Sequence, residues 1–195
     1  MDFGGMLIYM LVTLYTPGPN NLTSMCLSAQ YGFRGTRRFR LGNGAAFLFK
    51  ALLCGALNLV LSALLPGLVP YLKWFGAAYM LYLAWGTLRN GWRGEASDEP
   101  KGRDATVAAG IALQMVNVKS WVYCLSIFST YVVPYTQSAG VIALVAVVST
   151  LLAYSSIVLW ALCGSALRRV YQEHRRAFSV VMAGLLVFCA VTAVK

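Results

Sequence analysis

The chain has 195 residues, 59% of them hydrophobic and 11% charged, with a mean hydropathy of +0.67. Soluble domains hold about 45–50% apolar residues, so this composition excludes an ordinary soluble domain and points to lipid as the solvent. The net charge of +10 does not call for a nucleic-acid partner, because the basic residues cluster between apolar stretches.

A helix needs about 20 apolar residues to cross a bilayer, and six stretches qualify. The first runs from about Gly5 to Gly32 and contains Tyr15-Thr16-Pro17-Gly18-Pro19-Asn20-Asn21. Its start carries Asp2 and lacks the basic n-region and cleavage site of a signal peptide, so it is expected to belong to the mature chain. Proline has no backbone N–H and clashes with the carbonyl four residues earlier. Pro17 and Pro19 therefore free the carbonyls of Thr13 and Tyr15, and Gly18 lets the backbone turn between them. Pro19 also suits the first turn of a new helix, where the amides of Asn20 and Asn21 have no helical acceptor. Two half-helices meeting at a break are expected. Open backbone inside a membrane survives only where it is buried in protein or lines a cavity. Broken helices whose N-termini face anionic groups are a recurring transporter device. The stretch reads either as a substrate site or as a structural proline kink.

The second span is Gly42–Leu65, followed by a turn at Leu65-Pro66-Gly67-Leu68-Val69-Pro70 and a third span at Tyr71–Leu88. A charged loop covers Arg89 to Asp104. The fourth span is Ala105–Val132, with a polar interruption from Gln114 through Asn117 and Lys119 to Ser120. A turn at Val133-Pro134-Tyr135-Thr136-Gln137 leads to the fifth span, Ala139–Leu167. The basic segment Arg168 to Arg176 then leads to the sixth, Ala177–Val194. Arginine and lysine concentrate in alternate loops: Arg34, Arg37, Arg38 and Arg40; Arg89, Arg93, Lys101 and Arg103; Arg168, Arg169, Arg175 and Arg176. The other loops are nearly bare, with Lys73 just inside span three. This asymmetry places the basic loops in the cytoplasm and both termini outside.

The expected fold is an all-α membrane protein of six transmembrane helices in two inverted three-helix repeats. It forms one domain: a first half over 1–90, a cytoplasmic loop over 91–104 and a second half over 105–195. Corresponding interruptions in spans one and four are the pattern that marks a transporter site. Glycines at 42, 44, 55, 76, 110, 164 and 184 suit close helix approach in lipid. Cys26, Cys54, Cys124, Cys163 and Cys189 all fall in apolar spans without a C-x-x-C pair, so neither a metal nor a dithiol site is indicated.

Two charges lie deep in the spans, Lys50 and Lys119, each roughly 15 Å from a span end at 1.5 Å per residue. A lysine at the bilayer centre costs about 2.5–3.5 kcal/mol on insertion scales, so each needs a cavity or a partner. No acidic residue falls in any span; the acids are Asp2, Glu95, Asp98, Glu99, Asp104 and Glu173. Lys119 lies among Gln114, Asn117 and Ser120, and reads as a substrate contact or a structural tether. Lys50 lies among Phe47, Leu48, Phe49, Ala51 and Leu52, and reads as a site residue or a snorkelling side chain. The single histidine, His174, belongs to a basic loop, so neither a carboxylate proton relay nor buried serine hydrolysis is available. An enzyme is the least supported class.

Thr16-Pro17-Gly18-Pro19-Asn20-Asn21, Gly32-Phe33-Arg34, Gly42-Asn43-Gly44 and Asn117-Val118-Lys119 resemble the lysine exporter (LysE/RhtB) family of amino-acid exporters, over the whole chain. Within that family, Ala77-Ala78-Tyr79 with Leu83-Ala84-Trp85, Thr130-Tyr131-Val132-Val133-Pro134 and Trp160-Ala161-Leu162-Cys163-Gly164 look most like the exporters of cysteine and O-acetylserine. The resemblance implies a bacterial inner-membrane efflux carrier for a small neutral amino acid, working by alternating access. Val118 stands where the family often has proline, which predicts a softer break in span four. Lys50 lies outside the family pattern. The expected substrate contacts are Thr13, Tyr15, Thr16, Pro17, Gly18, Pro19, Asn20, Asn21, Lys50, Gln114, Asn117 and Lys119. The partners are the amino acid and membrane lipid, with no cofactor, metal or nucleic acid, and a homo-oligomer is left open. The other readings are a channel or carrier for another small solute or ion, and a membrane interaction or sensor protein.

Overall fold

A computed structural model of the chain describes residues 2–93 and 105–194, which contain helices and turns but no strand. Its helices are α1 Phe3–Tyr15, α2 Pro19–Gly35, α3 Arg37–Ala56, α4 Asn58–Arg93, α5 Val107–Val116, α6 Val118–Ser126, α7 Ala139–Ala166, α8 Arg168–Glu173 and α9 Arg175–Val194. The Asp2 carboxylate caps α1 by accepting from the Gly5 amide at 2.9 Å. The Thr106 hydroxyl caps α5 in the same way through the Ala109 amide at 3.1 Å. A wide π-helical turn, Ile127–Val132, extends α6. By length and composition, α7 and Arg175–Thr192 of α9 can each cross a bilayer, and α5 with α6 and its extension passes as one bent span.

The first span is broken as expected, between α1 and α2, and the turn over 133–137 is present. Two expectations are corrected. Span two does not run to Leu65: α3 stops at Ala56, and Leu57 leaves the helix with φ −112° and ψ 30°. The predicted turn at 65–70 is helical, because α4 continues through Pro66, Gly67 and Pro70 as far as Arg93. A proline removes one rung from the ladder, and helices in a membrane tolerate that loss where neighbours and local backbone adjustments compensate it. The charged loop accordingly starts later than Arg89; Glu95, Asp98, Glu99, Lys101, Arg103 and Asp104 lie outside the described residues.

The most extensive helix contacts are α4 with α9, α2 with α7, and α3 with both α5 and α7. The first broken span thus leans on α7, while the second leans on α3. Glycines permit the closest of these approaches. A Cβ on Gly110 would strike the backbone carbonyl of Phe39, one on Gly42 that of Val107, and one on Gly164 that of Met25. Two large apolar clusters and a small one at Ala77, Met80 and Ala190 form among the described residues. One large cluster gathers Leu22, Met25, Phe39, Leu83, Leu113, Phe178 and Leu186. The other gathers Met10, Phe47, Tyr123, Ile127, Phe128 and Val145. Along α3 the step from Phe39 to Phe47 passes buried Asn43, so a polar layer lies between them.

Candidate functional site

That layer holds both helix breaks. At the first, Thr16 leaves α1 with φ −64° and ψ 150°. Gly18 is fully extended and starts α2 without a side-chain cap, with Pro19 at its first turn. The amides of Asn20 and Asn21 therefore point from a helix start that supplies no acceptor. The carbonyls at the end of α1 are claimed by side chains. Thr16 donates to the Thr13 carbonyl at 3.1 Å. Asn21 Nδ2 donates to the carbonyls of Leu14 at 3.1 Å and Thr16 at 3.0 Å. From α7, Ser156 donates to Leu14 at 2.9 Å and the Trp160 indole to Tyr15 at 3.3 Å. The Tyr15 phenol pairs with Ser155 at 2.6 Å. Thr13 and Tyr15 thus keep their carbonyls partnered within the protein.

At the second break, Asn117 is extended (φ −76°, ψ 99°) between α5 and α6, and the two arms meet at a bend of 64°. This corrects the expectation of a soft break: no proline is needed, because side chains hold the open carbonyls. Lys50 donates to the carbonyl of Gln114, and to the Ser120 hydroxyl at 2.7 Å. The Trp121 indole donates to Met115 at 2.7 Å, and Ser120 to Asn117 at 2.8 Å. Lys50 is 0% exposed, with its ammonium 4.6 Å from the centre of the Trp121 ring. It does not snorkel; it pins the last turn of α5 to the first turn of α6.

Lys119 joins the two breaks. From the first turn of α6 its ammonium reaches Thr16 Oγ1 at 2.8 Å, the Thr16 carbonyl at 3.2 Å and the Pro17 carbonyl at 3.4 Å. Its side chain lies across Gly18, where a Cβ would press on it at 3.3 Å. Gln114 makes a second link, accepting on Oε1 from Asn20 Nδ2.

Two chambers meet along this seam. The inner one, about 40 Å³, is lined by Thr13, Gly18, Asn20, Asn21, Asn117 and Lys119 together with Phe47, Ser120 and Tyr123. The outer one, about 330 Å³, lies between the breaks and the α4–α9 pair and touches Pro17, Gly18, Pro19, Asn117, Lys119, Lys73 and Cys189. Gly18, Asn117 and Lys119 face both. Asn20 Oδ1 and Asn117 Oδ1 are buried without a hydrogen-bond partner, and both residues line the inner chamber. Lys50 and Gln114 line neither chamber. A chamber edged by two half-helix N-termini, the side chains of Asn20 and Asn117 and the Lys119 ammonium suits a small solute carrying both charges.

Sequence reasoning did not single out Phe47, Tyr123, Ala153 and Ile157, which line the inner chamber. Apolar lining residues look like any packed helix face. It also passed over Ser155, Ser156 and Trp160 of α7. Here a signal existed, since Tyr154-Ser155-Ser156 is a polar run inside the most apolar span.

The family model described as "LysE type translocator" matches residues 11–195. The cysteine/O-acetylserine efflux proteins of Escherichia coli (strain K12) and Shigella sonnei (strain Ss046) are each 35% identical to the chain over 183 residues, 94% of this chain and 92% of theirs. That of Escherichia coli O139:H28 is 34% identical over the same length. No solved structure matches.

Proposed function

The chain belongs to the LysE type translocator family, and on that premise we propose that this amino-acid efflux carrier exports cysteine, O-acetylserine or a similar small neutral zwitterion by alternating access. One observation carries the reading: both helix breaks open on the same chamber, with Lys119 spanning them. The substrate carboxylate meets the free amides of Asn20 and Asn21 and the Lys119 ammonium. The inner chamber has room for about one water, so an amino acid enters only when the breaks move apart. The outer chamber, about 330 Å³, lies at the low end of the ~300–1,000 Å³ range for small-ligand pockets and serves as the path to and from it.

The architecture we propose is six spans in two inverted halves. It is supported by the exchange of partners across the halves: α1 and α2 pack on α7, α5 and α6 on α3, and α4 on α9. In the orientation we propose, α8 and the α2–α3 corner, where arginines cluster, face the cytoplasm of a bacterial inner membrane and both termini lie outside.

The test is counterflow of labelled cysteine, kept reduced, in liposomes holding the purified protein. Saturable uptake, competed by neutral amino acids and unaffected by inorganic ions, is the expected outcome. Flux that no amino acid competes away would identify a channel or a carrier for another solute. A second expectation concerns Lys50. Lys50→Met should leave KM within about twofold of wild type, because Lys50 faces neither chamber. It should still cost about 1–3 kcal/mol of stability by stripping the Gln114 carbonyl of its donor, read by thermal unfolding in detergent. A KM shift well beyond that would place Lys50 among the substrate contacts.

A further inference from the structure

The Thr16–Pro17 corner offers three oxygen acceptors, the two carbonyls and the Thr16 hydroxyl, and all three are engaged by one primary ammonium, that of Lys119. A primary ammonium has three N–H donors and no acceptor, so the match in kind is complete. The α-ammonium of an amino acid is the same chemical group. No acidic side chain occurs in any span, and among the described residues the Lys119 charge is held by dipoles alone. The corner also borders the larger chamber, because Pro17, Gly18 and Lys119 all line it. A solute arriving there meets the occupied corner first.

We propose that the Thr16 and Pro17 carbonyls with the Thr16 hydroxyl form the subsite for the ammonium group of the transported zwitterion, and that Lys119 fills this subsite until the zwitterion displaces it. The proposal rests on the efflux reading above and adds to it an order of events. Exchanging one ammonium for another at the corner leaves its hydrogen bonds nearly unchanged. What changes is the position of Lys119, whose ammonium loses its three oxygen partners and, with no acidic side chain in any span, lacks an opposite charge. The substrate carboxylate supplies it. Displacement therefore requires both ends of the same molecule. An amine without a carboxylate strands Lys119, and a carboxylate without an amine leaves Lys119 on the corner. Selection for zwitterions follows from this exchange, without any acidic residue in the protein. Gly18 serves it by leaving the room in which the Lys119 stem lies.

The experiment uses counterflow of reduced, labelled cysteine in liposomes, with propylammonium and cysteine methyl ester as competitors. Both keep the ammonium and lack the carboxylate. With the wild-type protein neither should compete at concentrations where unlabelled cysteine does. In Lys119→Met the corner has no resident cation, and the concentration of propylammonium giving half-maximal thermal stabilisation of the protein in detergent, a readout that needs no transport, should fall at least about tenfold relative to wild type, as expected when a charge-assisted competitor is removed. Propionate should remain without effect on either protein. Inhibition of the wild-type protein by the methyl ester at the potency of cysteine overturns the proposal, whatever the variant does. So does a folded Lys119→Met protein that propylammonium does not stabilise. If Lys119→Met fails to insert, Lys119→Gln takes its place, and the wild-type ester result stands by itself. A wild-type protein with no amino-acid counterflow defeats the efflux reading instead, and this proposal falls with it.

Discussion

Asn21→Ala is expected to lower amino-acid efflux at least about tenfold, the consequence of losing buried hydrogen bonds worth roughly 1–3 kcal/mol. Asn21 is 5% exposed and its amide does two jobs at the break. Its Nδ2 donates to the carbonyls of Leu14 and Thr16, so one side chain holds the end of α1 against the start of α2. Its Oδ1 accepts from Ser156 of α7 at 3.4 Å, which ties the break to the helix that backs the chamber. Alanine leaves Leu14 with Ser156 and Thr16 with Lys119, so the protein still inserts. The half-helix N-terminus, however, loses the group that sets its direction toward the chamber. Counterflow rates per inserted protein, with insertion checked by size-exclusion in detergent, give the readout. Full activity in an inserted Asn21→Ala protein would remove the first break from the proposed site.

Gly110→Leu is expected to cost about 3 kcal/mol or more, the upper range for overpacking against atoms that cannot yield. The neighbours at Gly110 are main chain: the Phe39 carbonyl and the Asn43 amide of α3. A flexible side chain could swing away; a helix backbone moves only as a unit. Forcing α3 from α5 also breaks the hydrogen bond from Asn43 Nδ2 to the Gly110 carbonyl, 3.3 Å, at the edge of the polar layer. Gly184 provides the control. A Cβ there meets nothing within 4 Å, so Gly184→Ala should leave stability unchanged or raise it by up to about 1 kcal/mol through helix propensity. Thermal unfolding in detergent separates the two. Equal effects at both glycines would mean that the α3–α5 contact is not as close as described.

Much of the candidate site was legible because its chemistry breaks local rules. Pro17-Gly18-Pro19 cannot continue a helix, so the first break followed from covalent structure alone. Asn117 and Lys119 stood out as polar groups in an apolar span. The second break was underestimated because its cause is not local: Lys50 and Trp121 hold the open carbonyls of α5, and Lys50 is 64 residues from its acceptor. The same reason explains the missed turn. Pro66 and Pro70 look like breakers in isolation, yet α4 passes through both, while the real corner at Leu57 carries neither proline nor glycine.

Composition and patterning by themselves determined that this is a helical membrane protein with an interrupted first span. Both properties follow from how backbone polar groups are satisfied in lipid, which each segment settles for itself. Tertiary structure alone decided which side chain meets which open carbonyl. It tied Lys50 to the Gln114 carbonyl and the Ser120 hydroxyl, set Lys119 across the Thr16–Pro17 corner and brought α7 in to close the end of α1. Those choices depend on contacts between residues far apart in the chain, and no local pattern encodes the distance between them.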